Sequence, residues 1–73
     1  MEKMKLREFW DASDTARKNK ILMEVSEKCQ NSVQTVLAWM LGTRNPKGLN
    51  REALFSYIRD NYQIVIIEEG GKQ

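Results

Sequence analysis

Apolar positions recur at helical spacing along most of the chain and change period near its end. Leu6, Phe9 and Trp10 fall at i, i+3 and i+4, which predicts a short helix with one apolar face. Ser13 is placed to cap a second helix, with Asp14 in its first turn, where a negative charge complements the helix dipole. Over residues 14–29, Ala16, Ile21, Leu22, Val25 and Cys29 share one side, and Arg17, Lys18, Glu24, Glu27 and Lys28 take the other, with a break allowed near Asn19. Glu24 and Lys28 form an i, i+4 pair in the favourable order. Gln30 and Asn31 connect to a third helix, "SVQTVLAWML", which Ser32 caps and Gly42 stops. "TRNPKGLN" is a loop, because Pro46 forbids helix continuation and Gly48 loosens the turn. Asn50 is expected to cap a further helix over residues 51–62, anchored by Leu54, Ile58, Phe55 and Tyr57.

Ile64, Val65, Ile66 and Ile67 are all β-branched and predict a strand. A lone strand leaves its backbone groups without partners, and no other segment reads as a strand. Two arrangements answer this. Copies of the strand pair antiparallel about a two-fold axis, giving a homodimer through Ile64, Val65, Ile66 and Ile67, or the run packs its isoleucines on the helices as an extended tail. The expected fold is mostly α, with four or five helices and a C-terminal β-strand. It forms a single domain over residues 1–68, followed by a flexible tail at 69–73.

A chain of 73 residues supports one small core and leaves no room for a large substrate pocket. The net charge of +2 means that any nucleic-acid contact rests on a local basic patch. With one cysteine, Cys29, and no histidine, neither an internal disulfide nor a zinc site can be assembled, and no ordinary nucleophile–base pair is present. No enzymatic activity, cofactor or metal is therefore expected. The apolar runs are too short to span a membrane, and "MEKMKLREFW" lacks the apolar core of a secretory signal. These features set the expectation of a cytoplasmic protein.

Two helices joined by a tight connection define a helix-turn-helix arrangement. With Gln30 at the turn, Val25 and Cys29 before it and Val36 and Trp39 after it fall at the core positions, and Ser26 is small where the helices cross. The segment "ILMEVSEKCQNSVQTVLAWMLGTRNP", residues 21–46, resembles the helix-turn-helix of the phage repressor/Cro-like superfamily, whose members carry an L-A-x-x-x-G-V-S-x-x-T-[VI]-x-x-W-x-x-G pattern. Matches fall at Val25, Ser26, Ser32, Thr35, Val36, Trp39 and Gly42; residues 50–62 fit the next helix of that fold more loosely. The chain departs from the pattern at the turn, where Gln30 replaces the family's glycine and Asn31 the apolar residue after it. An unchanged turn requires Gln30 to adopt the left-handed conformation, at about 1 kcal/mol; a turn shifted to Asn31 is the alternative.

The resemblance implies a sequence-specific binder of double-stranded DNA, a small transcriptional regulator working as a two-fold dimer. The third helix would enter the major groove. Val33, Gln34, Leu37 and Ala38 would then face the bases: Gln34 suits adenine, and Val33 and Ala38 suit thymine methyl groups. Ser32, Thr35, Arg44, Lys47 and Arg51 would contact phosphates, with Lys18 and Lys20 ahead of the motif as further clamps. The rival expectation is a protein-interaction module on the same fold. It would dock a protein partner on Val33, Leu37 and Leu41, with Met40 at their margin and without DNA binding.

Overall fold

In the computed structural model, which describes residues 1–67, the chain runs β1 (Glu2–Lys5), α1 (Leu6–Asp11), α2 (Thr15–Cys29), α3 (Val33–Leu41), α4 (Leu49–Tyr62) and β2 (Ile64–Ile67). The mostly helical fold expected from the apolar spacing is present, with four helices and a small two-stranded sheet. The tail expected at 69–73 lies outside the described residues.

The caps differ in detail from those expected. Asp14, not Ser13, caps α2 and accepts the Arg17 N–H at 2.8 Å. Ser13 is buried instead, and its hydroxyl donates to the Phe9 carbonyl at 2.9 Å, closing the end of α1. A buried hydroxyl needs such a partner, whereas the more exposed carboxylate is free to serve the helix dipole. Helix α2 runs unbroken through Asn19, and Ala16 is exposed rather than packed. Helix α4 starts one residue before the expected Asn50 cap, at Leu49, with Gly48 in the cap position at φ 58°. At the start of α1 the Lys5 N–H donates to the Glu8 carboxylate at 3.0 Å.

The core gathers Phe9 and Trp10 from α1, Ile21 and Val25 from α2, Val36, Trp39 and Met40 from α3, Leu54, Tyr57 and Ile58 from α4, and Ile66 from β2. Helix α2 packs on both α3 and α4, and α1 packs on α3. Met40, expected at the margin of the exposed face, has no exposed surface at all. It is buried in the core with Trp39, so a partner docking on α3 does not reach it.

The C-terminal strand has its partner within the chain. β2 pairs in parallel with β1, with Glu2 opposite Ile64 and Lys5 opposite Ile67. The lone-strand argument for pairing between two chains is therefore removed. β1 escaped the sequence reading because "EKMK" holds one apolar residue and its partner lies almost the whole described chain away. Met4 and Ile66 are register partners that pack inward, while Ile67 points out and is 45% exposed. The Glu2, Lys3 and Lys5 side chains lie in water, and charged residues on a sheet edge discourage further pairing there.

Glu24, expected to pair with Lys28, accepts a hydrogen bond from the Tyr57 hydroxyl and ties α2 to α4. Burial, and then the bond to Glu24, raise the Tyr57 pKa far above that of an ordinary tyrosine. The folded state thus holds the neutral phenol, while an unfolded tyrosine ionises near pH ~10. Stability from this group is complete below about pH 10 and falls above it, by about 1.4 kcal/mol per pH unit. We expect Tyr57→Phe to cost about 1 kcal/mol at neutral pH. Urea titrations followed by tryptophan fluorescence at pH 8 and pH 11 should show the gap between wild type and variant closing at the higher pH.

Candidate nucleic-acid interface

The site is built on the turn between α2 and α3. Gln30 adopts the left-handed conformation, φ 55° and ψ 45°, so the turn keeps its position despite the missing glycine and does not shift to Asn31. The Gln30 N–H donates to the Glu27 carbonyl at 3.3 Å and the Asn31 N–H to the Ser26 carbonyl at 3.0 Å. This double bond pattern closes α2 and satisfies carbonyls that its last turn would otherwise strand. The Asn31 side-chain amide adds a bond to the Cys29 carbonyl at 3.0 Å. Gly42 closes α3 in the same way, with Gly42 N–H on Trp39 and Thr43 N–H on Ala38 at 3.3 and 3.0 Å.

Ser32 caps α3 as expected, its hydroxyl accepting the Thr35 N–H at 3.1 Å. The Thr35 hydroxyl lies 2.9 Å from the Ser32 hydroxyl, so the two side chains form one small hydroxyl cluster at the start of the helix. Val36 and Trp39 turn inward, as the spacing required. Gln34 is exposed, and Val33 and Leu41 are 41% and 39% exposed. Ala38 and Leu37 are half-buried, and Leu37 packs its inner side against the core. The open face of α3 therefore consists of Val33, Gln34 and Leu41, with the rims of Leu37 and Ala38 between them.

Beside this face runs an open groove of about 500 Å³ lined by Thr35, Trp39, Arg44, Lys47 and Asn50, among others. Three of the five residues expected at phosphates, Thr35, Arg44 and Lys47, thus converge on one feature. Arg51 does not join them. Its guanidinium lies over the Phe55 ring, 5.4 Å from the centroid, and it lines a separate depression with Glu52, Ser56 and Arg59. Lys18 lies over the Trp10 ring at 5.2 Å, and Lys20 is exposed on α2.

Sequence reasoning missed Arg7. It pairs with Asp11 at 3.1 Å and donates to the Leu41 carbonyl at 3.2 Å. A cation at the C-terminal end of α3 complements the helix dipole and fixes α1 against that end. No local signal exposes a contact across 34 residues. Asn50, expected only as a cap, lines the groove, and its carbonyl lies 3.9 Å from the Cys29 sulfur. Burial raises the Cys29 pKa, with the Lys28 charge pulling the other way, which suits a packed thiol more than a reactive one. No three His, Cys, Asp or Glu side chains gather to hold a metal ion among the described residues, and no helix among them is long and apolar enough to cross a membrane.

Replacing Gln30 with glycine removes the Cβ strain of the left-handed turn without touching the core. Gln30→Gly should raise the unfolding free energy by about 1 kcal/mol in a urea titration, whereas Asn31→Gly should not. No protein-family model, no curated protein and no solved structure matches this chain.

Proposed function

We propose that the protein binds double-stranded DNA through α3 and acts as a small transcriptional regulator. The observation that carries this reading is the groove that brings Thr35, Arg44 and Lys47 together along the flank of α3, next to its open face. A helix N-terminus with a hydroxyl pair at Ser32 and Thr35 and two cations along its flank is suited to phosphodiester oxygens. The exposed Gln34 supplies an amide of the kind that pairs bidentately with adenine. In this reading Ser32 acts through Thr35, orienting its hydroxyl. Arg51, set apart over Phe55, contributes less than Arg44 and Lys47.

A two-fold dimer belongs to the same reading, since one short helix discriminates weakly between sequences. Its support is the second edge of β2. Among the described residues β2 pairs only with β1, and its own run Ile64–Ile67 carries no charge to guard that edge. Two copies of β2 side by side would extend the sheet across the two-fold axis. Light scattering should give a dimer for wild type and a monomer for Ile67→Lys; a monomeric wild type removes the dimer.

The DNA reading is tested by fluorescence anisotropy against random duplex DNA at low and moderate salt. Wild type should bind at low salt and weaken steeply as salt rises. The pair Arg44→Glu and Lys47→Glu together should lower the slope of log affinity against log salt by about 2, and Arg51→Glu by less than 1. Absence of binding at low salt overturns the DNA reading. It leaves the apolar face of Val33, Leu37 and Leu41, where two residues are well exposed, as a surface for a protein partner.

A further inference from the structure

The chemistry of α3 restricts which bases it can read. In the major groove guanine is recognised by Arg or Lys, cytosine by Glu or Asp, adenine by Asn or Gln, and thymine by apolar contact with its methyl group. Val33–Leu41 contains no charged residue of either sign. The charged readers of guanine and cytosine are therefore absent from the helix, and its one hydroxyl, Thr35, lies against the Ser32 hydroxyl and lines the flanking groove. What remains is one amide, Gln34, and an apolar row formed by Val33, Leu37 and Leu41 at i, i+4 and i+8. Ala38 continues the Gln34 row one turn later and leaves space rather than a polar contact. Of the basic side chains near α3, Arg44 and Lys47 follow its C-terminal Gly42 and line the flanking groove, and Arg7 is engaged by Asp11 and the Leu41 carbonyl.

Resting on the DNA reading above, we infer that α3 selects A·T base pairs, adenine through the Gln34 amide and thymine through methyl contacts with Val33 and Leu37. The row from Val33 to Leu41 covers about 12 Å along the helix, enough to follow about three base-pair steps. Exposure of an aliphatic row on a recognition helix, otherwise unfavourable, is offset when thymine methyl groups cover it. The Ser32 cap at its start and the Arg7 bond at Leu41 hold both ends of α3, which presents the row in a fixed orientation.

The test is a selection of full-length protein on a random duplex pool, followed by anisotropy titrations on the selected duplex. The selected sites should carry A·T pairs at the positions facing α3. Replacing their thymines with deoxyuridine removes only the methyl groups and should weaken binding about fourfold for each contacted methyl. Repeating the selection with Gln34→Arg should move one position from adenine to guanine. Selected sites rich in G·C, or equal binding of the deoxyuridine duplex, overturn the inference while DNA binding itself stands. A Gln34→Arg protein that selects the same bases as wild type overturns the assignment of Gln34. Absence of binding to any duplex at low salt removes both the inference and the reading beneath it.

Discussion

The left-handed backbone of Gln30 decides which side of α3 meets water. Continued in right-handed form, α2 would carry Val33–Leu41 onward as one long helix, with no inner face for Val36, Trp39 and Met40. The reversal at φ 55° sends α3 back across α2, and those three side chains close the core against Val25 and Phe9. The turn is held by carbonyls of α2 that need donors in any case, so part of the strain of a non-glycine residue is offset locally. Everything at the candidate interface follows from that reversal. The open side of α3 is what remains once the inner side is filled.

Much of this was legible in the sequence because it is local. The α3 caps, the inward Val36 and Trp39 and the Pro46 loop are set by neighbours within a few residues, where helical spacing and turn chemistry speak directly. Ser13 departs from its expected cap role because a hydroxyl before a helix has two local options, cap or carbonyl donor, and burial of the α1 end selects the second. Met40 departs from its expected marginal place because α3 is apolar on more than one side, so its period alone does not fix which residues are inside. The packing of α1 and α2 on α3 decides it in the folded chain.

The parts that escaped are long-range. β1 has a polar sequence and becomes a strand through its partner. A strand rich in lysine gives almost no propensity signal, yet it suits the edge of a small sheet. Arg7 is equally silent: its role depends on where α3 ends in space. The candidate groove combines both cases. Thr35 and Trp39 were marked by the motif, while Asn50 joins them only through the path of the loop after Gly42.

The parallel pairing of β1 with β2 also orders events in time. The helices are built from contacts close in sequence, which form quickly. β1 is synthesised before its hydrogen-bonding partner, which follows all four helices of the described residues. For that interval β1 lacks the partner it has in the folded structure. The charges of Glu2, Lys3 and Lys5, which discourage pairing at the finished edge, are of the kind that also discourages association of an unpaired strand.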